Sequence, residues 1–246
     1  MRRNNAATAL NPSLTLLEPF RAAMELTFLQ FTAPPKALPG DGHPVVIFPG
    51  LGADGTSVSI LRAHCQDLGY EAFDWGQGFN TGPRGELGAW LEALADEVSR
   101  QLEKHDKPAT LIGWSLGGLY ARELGKLLAP KLRQVITIAT PFNGSADDIS
   151  ASWISSLLGG GAASIDPLWI ERLRMPPPIR TTSIYSRSDG VVAWETCRHD
   201  EGSRLVEDIE VDGSHMGMGW NREVLNIVAD RLGQHAGPWR PYGGPT

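Results

Sequence analysis

The sequence is poor in cysteine and has no excess of positive charge. Its 2 cysteines, Cys65 and Cys197, are too few in 246 residues for a disulfide framework. We therefore expect free thiols and a cytoplasmic location. Because 22 lysine and arginine residues stand against 28 aspartate and glutamate residues, the net charge is −6. A chain of this charge does not attract phosphate groups, so we expect no nucleic-acid partner.

A long apolar run is also missing from the N-terminal region. The start, MRRNNAATAL, continues with polar residues where a signal peptide would be apolar, and Glu18, Arg21 and Glu25 interrupt the next stretch. We predict neither a signal peptide nor stable insertion in a membrane.

What the chain does contain is a regular alternation of apolar runs and helix-like blocks. The runs are 45–48, 70–75, 109–114, 134–140, 180–186 and 204–211, and the helix-like blocks are 56–67, 86–105, 116–129 and 221–233. This order is typical of an α/β protein in which a mostly parallel, doubly wound sheet is covered on both faces. We expect the body of this fold to span residues 43–235, followed by a flexible C-terminal tail at 236–246.

The segment before the body, residues 1–42, is predicted to contain one helix and a proline- and glycine-rich connector. Apolar residues recur at near-helical spacing at Leu16, Leu17, Phe20, Met24, Leu26, Phe28 and Phe31. We expect this helix to pack on the body. An alternative is a helix that lies on a membrane surface, although its polar side offers few positive charges.

One connection is longer than a single crossover helix requires. About 40 residues separate the runs at 134–140 and 180–186, and α/β connections are usually shorter. We interpret residues 143–179 as a small helical cap inserted before the strand that starts near Arg180. Its apolar residues are Trp153, Ile154, Leu157, Leu158, Trp169 and Ile170.

The first apolar run ends in a glycine-rich turn that fits two kinds of chemistry. Gly50-x-Gly52-x-x-Gly55 follows the run at 45–48, and the acidic Asp74 comes about 20 residues later, which is the arrangement of a dinucleotide-binding site. A turn that brings bare backbone close to any ligand needs the same glycines.

A second glycine-rich turn gives the strongest indication of function. The run at 109–114 leads into Gly113-Trp114-Ser115-Leu116-Gly117 and then into a helical pattern. This is the strand, sharp turn and helix of a nucleophile elbow, in which the serine adopts a strained backbone conformation and its neighbours must be small. Ser115 is therefore the candidate nucleophile.

A serine nucleophile requires a base and an acid, and both follow in the expected order. Asp189 comes after the run at 180–186, and His215 comes after the run at 204–211. Asp147 and Asp148 are alternative acids. His199 is the competing histidine, but its charged surroundings indicate an exposed loop.

These segments together resemble the α/β-hydrolase superfamily and, within it, bacterial lipases and esterases. The resemblance rests on VVIFPGLG, GWSLGG, TIATPFNGSADD, SDGVV and GSHMGM and covers roughly residues 43–233. It implies an α/β-hydrolase fold in which the backbone N–H groups of Leu51 and Leu116 form the oxyanion hole. Pro49 stands where many members have histidine, which leaves that backbone donor unchanged.

The resemblance implies a serine hydrolase that cleaves a small-molecule carboxylic ester through Ser115, His215 and Asp189, without a metal or an organic cofactor. The apolar cap favours a lipophilic substrate group, with candidate pocket residues Trp114, Trp153, Leu157, Trp169 and Trp194. A thioesterase, an amidase or an acyltransferase would use the same triad. A more remote alternative is a dinucleotide-binding protein.

Overall fold

The structure is a computed structural model, which describes residues 10–31, 39–143, 167–200, 203–234 and 239–243. Six strands form one sheet: β1 Pro44–Phe48, β2 Glu71–Asp74, β3 Ala109–Trp114, β4 Leu132–Ile138, β5 Arg180–Ser186 and β6 Val206–Val211. The helices are α1 Pro12–Gln30, α2 Ser59–Asp67, α3 Leu87–Leu102, α4 Leu116–Leu127, α5 Pro167–Arg174 and α6 Arg222–Gly233. Short 3-10 turns at Ala129–Lys131 and Trp194–Cys197 complete the described elements.

All neighbouring strands of the sheet run parallel, in the order β2-β1-β3-β4-β5-β6. The chain therefore winds outward from β1 in one direction to β2 and then returns to build β3 to β6 on the other side. In sheets of this kind, ligands bind at the carboxyl ends of the strands beside such a reversal of direction, which here lies between β1 and β3. The predicted parallel, doubly wound α/β sheet is confirmed.

The central strands are buried on both faces, which explains why they read as continuous apolar runs. In β1, Val46 and Phe48 belong to the core under α3 and α4, whereas Val45 and Ile47 belong to the core under α2 and α6. All four side chains are fully buried. Some polar side chains are also buried within the inner strands, among them Thr137 of β4 and Thr182 and Ser183 of β5.

Helix α1 is present, but it faces the body with a side that the apolar pattern does not indicate. Glu18 and Ala22 are buried, and the carboxylate of Glu25 accepts from the Ser214 N–H. The apolar residues lie outward, with Phe20 at 65% and Phe31 at 81% exposure. The helix thus packs through its charged side because that side meets polar backbone groups of the body.

The predicted cap falls mostly outside the described residues. Asp147, Asp148, Trp153, Ile154, Leu157 and Leu158 all lie in the range 144–166, of which nothing is described. The remaining part forms α5, where Ile170 and Leu173 are buried and Trp169 packs against the core under α3 and α4. Arg122 on α4 donates to the carbonyls of Leu173, Arg174 and Met175 and so ties the end of α5 to the body.

Two further observations concern the chain ends and membranes. Residues 239–243 contact the body, where the Tyr242 N–H donates to Glu207 Oε1 at 2.6 Å. Among the helices of the described ranges, none combines the length and the apolar character that crossing a bilayer would require.

Both cysteines are unpaired, and both are buried. Burial raises the pKa of the Cys65 thiol to about 12 and raises that of Cys197 well above its ordinary value. Because the thiolate is the reactive form, we expect neither thiol to react with Ellman's reagent at pH 8 in the folded protein. In guanidinium chloride both should react. Rapid modification of either thiol under native conditions would contradict this burial.

Candidate active site

Ser115 occupies the turn between β3 and α4 in a conformation that few side chains adopt. Its φ is 53° and its ψ is −121°. The Ser115 N–H donates to the carbonyl of Ile138 on β4 at 2.8 Å, which holds the turn against the neighbouring strand. Strain of this kind persists only where the surrounding structure fixes it, and it concentrates at functional sites.

The glycines around Ser115 are required by close backbone contacts. A Cβ atom at Gly117 would lie 2.6 Å from the Pro49 carbonyl oxygen and even nearer to that of Phe48. A Cβ at Gly113 would likewise meet the backbone of Gly117 and Gly118. The start of α4 therefore rests directly on the end of β1, so that the elbow and the glycine turn after β1 share one small volume.

The structure brings the three predicted triad residues together. His215 Nε2 lies 3.1 Å from Ser115 Oγ, and His215 Nδ1 lies 2.8 Å from Asp189 Oδ2. All three residues are at least 93% buried. In this arrangement Nδ1 carries the hydrogen donated to Asp189, which leaves Nε2 free to accept from the serine hydroxyl.

The other oxygen of Asp189 fixes the carboxylate in the turn after β5. Oδ1 accepts the N–H groups of Val191 at 2.8 Å and Val192 at 2.7 Å. Because both oxygens are engaged, the side chain has one orientation relative to His215. The backbone of His215 is held by Trp114, whose Nε1 donates to the His215 carbonyl at 3.2 Å.

The competing histidine, His199, is not in an exposed loop, and that expectation is wrong. Its side chain is 5% exposed, with Nδ1 2.7 Å from Asp208 Oδ1 and Nε2 2.9 Å from Arg122 Nη1. Burial and the adjacent Arg122 charge lower its pKa. Both ring nitrogens are engaged in a structural network, so His199 has none left for a serine. The alternative acids Asp147 and Asp148 lie outside the described residues.

The predicted oxyanion donors belong to the two turns that meet at Ser115. Leu116 is the first residue of α4, and Leu51 follows Gly50 in the turn after β1. A Cβ built on Gly50 would be 3.4 Å from Ser115 Cβ, which shows how near this turn comes to the serine. The two turns therefore meet beside Ser115, and donation by the Leu51 and Leu116 N–H groups to an oxyanion stays a prediction.

A buried asparagine that the sequence motifs do not reveal supports this turn. Asn80 Nδ2 donates to the Pro49 carbonyl at 2.9 Å, and its backbone exchanges hydrogen bonds with Gly52 and Ala53. The Tyr120 hydroxyl and Asn80 Oδ1 are 3.2 Å apart. Asn80 lies in an irregular loop between β2 and α3, and its role depends on contacts made far along the chain.

The acidic residue of the dinucleotide pattern is engaged elsewhere. Asp74 Oδ2 accepts from Arg62 at 2.8 Å, and Oδ1 accepts the Gly76 N–H at 2.9 Å. Its carboxyl group also covers Gly55, where a Cβ would lie 2.8 Å from Asp74 Cγ. Moreover, α2 begins only at Ser59, so the helix does not start on the glycine turn. Of the three glycines in the pattern, Gly50 is the one whose Cβ position contacts Ser115.

The candidate pocket residues have different surroundings. Trp114 is 8% exposed and makes edge contacts with Trp220. Trp169 packs on the core beside Gly88, and Trp194 stacks on Tyr185 with centroids 5.8 Å apart. Of these, Trp114 alone contacts a triad residue through a described hydrogen bond; Trp153 and Leu157 lie outside the described residues.

Known proteins share the sequence pattern and the fold of this chain. The sequence profile of the α/β hydrolase family matches residues 32–243. The chain belongs to this family. No curated protein matches the chain at a significant level.

Solved structures of several activities share the fold of this α/β hydrolase. A monoacylglycerol lipase from Paleococcus ferrophilus is 16% identical, with a TM-score of 0.57, covering 81% of this chain and 97% of its own. A thioesterase domain from the curacin biosynthetic pathway is 12% identical, with a TM-score of 0.55 and coverage of 80% and 93%. A bromoperoxidase from Bacillus anthracis is 15% identical, with a TM-score of 0.53 and coverage of 79% and 92%. At such identities the likeness concerns the fold, and the substrate has to be argued from the site.

The described part of the chain offers no cluster of three His, Cys, Asp or Glu side chains suited to holding a metal ion.

The elbow makes a prediction about stability. Gly117→Ala should lower the free energy of unfolding by about 3 kcal/mol, because the added methyl group meets immovable backbone. Gly233→Ala is the matched control, since nothing lies within 4 Å of a Cβ at that position. The control should be neutral or gain about 0.5 kcal/mol. Urea denaturation measures both, and equal stability of the two variants would argue against the close packing of α4 on β1.

Proposed function

We propose that this protein is a serine hydrolase that cleaves a carboxylic ester with a lipophilic acyl or alcohol group. The observation that carries the proposal is the hydrogen-bonded series from Ser115 through His215 to Asp189, built on the strained turn at Ser115. The three side chains come from three separate turns at the carboxyl edge of one sheet. Their convergence on a common geometry is what acyl transfer by a serine requires.

The first half of the reaction forms an acyl-enzyme. His215 Nε2 takes the hydroxyl proton as Ser115 Oγ attacks the ester carbonyl carbon, while Asp189 stabilises the imidazolium that forms. The Leu51 and Leu116 N–H groups donate to the oxyanion. The tetrahedral intermediate then collapses, and His215 returns its proton to the oxygen of the departing alcohol.

The second half releases the acid. His215 removes a proton from a water molecule that attacks the acyl carbon, and the second tetrahedral intermediate expels Ser115 Oγ, which regains its proton from His215. Free carboxylic acid and unmodified protein result. The hydrogen-bond pattern of His215 is the same at the beginning and at the end of the cycle.

Apolar side chains on the loops of the site support a lipophilic substrate group. Met216, next to His215, and Leu51, in the turn after β1, are both 44% exposed. Met216 follows the proposed base His215, and Leu51 carries one of the proposed oxyanion donors. An acyl or alcohol chain that covers these two side chains would remove apolar surface from water and strengthen binding.

The proposal is tested by comparing the wild type with Ser115→Ala. The wild type should react with a fluorophosphonate probe and hydrolyse p-nitrophenyl esters, with higher kcat/KM for longer acyl chains. In Ser115→Ala labelling should disappear and kcat should fall by at least about 10³-fold. Ser99→Ala is the matched control, because Ser99 lies on α3 and its hydroxyl contacts Lys131.

The choice of substrates decides between the reaction classes. Thioester and amide substrates and an acceptor alcohol are assayed in parallel with the esters. A wild type that is labelled but prefers one of these over the ester would place the protein among thioesterases, amidases or acyltransferases. A wild type that neither labels nor turns over any of them would refute a serine hydrolase.

A further inference from the structure

The side chain of Glu18 contacts the two turns that carry Asp189 and His215 of the proposed triad. Helix α1 lies far from the triad in sequence. Glu18, on this helix, is almost fully buried, with 2% of its surface exposed. Its Oε1 accepts the Gly190 N–H at 2.7 Å and the His215 N–H at 3.1 Å, and its Oε2 accepts the Met216 N–H at 3.0 Å. One carboxylate thus joins the turn that carries Asp189 to the turn that carries His215.

Other groups of α1 reinforce the same two turns. Thr15 donates to the Gly190 carbonyl at 2.5 Å, and Arg21 donates to the carbonyl and the hydroxyl of Ser188, which precedes Asp189. On the other turn, Glu25 Oε1 accepts the Ser214 N–H at 2.7 Å. The helix therefore holds residues on either side of Asp189 and the residue immediately before His215.

Both turns have a glycine where α1 comes closest. A Cβ at Gly190 would lie 2.6 Å from the backbone carbonyl of Leu14, and a Cβ at Gly217 would lie 2.8 Å from Glu25 Cδ. At Gly190 the contact is with backbone, so a residue with a side chain would not fit, whereas at Gly217 the Glu25 side chain would have to shift. The glycines next to the acid and the histidine thus admit the helix at this distance.

We infer that Glu18 is a positioning residue for the proposed reaction and that it sets the distance and angle between Asp189 and His215. The N–H groups of Gly190 and His215 have to find acceptors in a buried region, and Glu18 supplies one oxygen to both. Two turns that share an acceptor cannot move apart without leaving a buried donor unpaired. The inference rests on the proposed function for its kinetic readout.

Glu18→Gln is the most informative variant because it preserves the size of the side chain. The amide oxygen can replace Oε1, but the amide nitrogen then faces the Met216 N–H, so that two donors oppose each other. Glu18→Asp keeps both acceptors on a shorter side chain. We expect kcat to fall by about 10- to 100-fold in Glu18→Gln, less in Glu18→Asp, and KM to stay within about threefold of the wild type.

Two controls separate positioning from stability. Val98→Ala shortens a fully buried side chain of α3 and lowers Tm without touching the triad turns. Thr27→Ala changes α1 itself at an exposed position, where the hydroxyl donates to the Ala23 carbonyl at 2.9 Å. Both should keep the kcat of the wild type when rates are referred to folded protein. If Glu18→Gln loses Tm as Val98→Ala does but keeps its kcat, Glu18 is merely structural and the inference is wrong.

A measurement without substrate distinguishes this inference from the proposed function. The Nδ1 hydrogen between His215 and Asp189 should give a low-field proton resonance, assigned by its loss in His215→Ala. We expect Glu18→Gln to broaden or abolish it and Val98→Ala to retain it. If the wild type hydrolyses nothing, the proposed function fails, and the resonance still tests whether Glu18 positions His215. Loss of the resonance in Glu18→Gln supports the positioning role. Its persistence in this variant overturns that role.

Discussion

The site depends on one steric constraint, the contact of bare backbone between the start of α4 and the end of β1. Gly117 lies against the carbonyls of Phe48 and Pro49, so α4 can begin only where the chain has turned sharply after β3. Ser115 occupies that turn, and its φ is 53°. The same contact brings the turn after β1 beside the serine, so the proposed nucleophile and the turn proposed to hold an oxyanion donor depend on the same packing of α4 on β1.

Asp189 and His215, the other two residues of the proposed triad, are held in place by hydrogen bonds rather than by apolar packing. Asp189 is held by two N–H groups of its own turn, and His215 is held between Asp189, Trp114 and Glu18. Hydrogen bonds to a buried carboxylate are directional and short, so they define an orientation that apolar contacts alone leave free. The catalytic groups we propose can therefore sit on turns and still be rigid.

Local patterns were sufficient to predict most of the fold, and the exceptions have a common physical origin. The strands at 109–114 and 180–186 were predicted at the residues where they occur. The first is a mostly apolar run, as expected for a strand buried on both faces, whereas the second also buries threonine and serine side chains. Asn80 and Glu18 were missed as supporting residues, and His199 was expected to be exposed. These side chains are explained by partners distant in the sequence, such as Pro49, Gly190 and Arg122, which no local spacing reveals.

Helix α1 illustrates why hydrophobic periodicity fails at this place. An amphipathic helix normally turns its apolar side to the body because the body offers apolar surface. Here the body presents N–H groups of two turns, and a carboxylate accepts hydrogen bonds from them, which a leucine side chain cannot do. Glu18 can be buried because three donors and the nearby Arg21 offset the cost of removing it from water. The glycines in SDGVV and GSHMGM thus reflect the approach of this helix as much as the turns that carry Asp189 and His215.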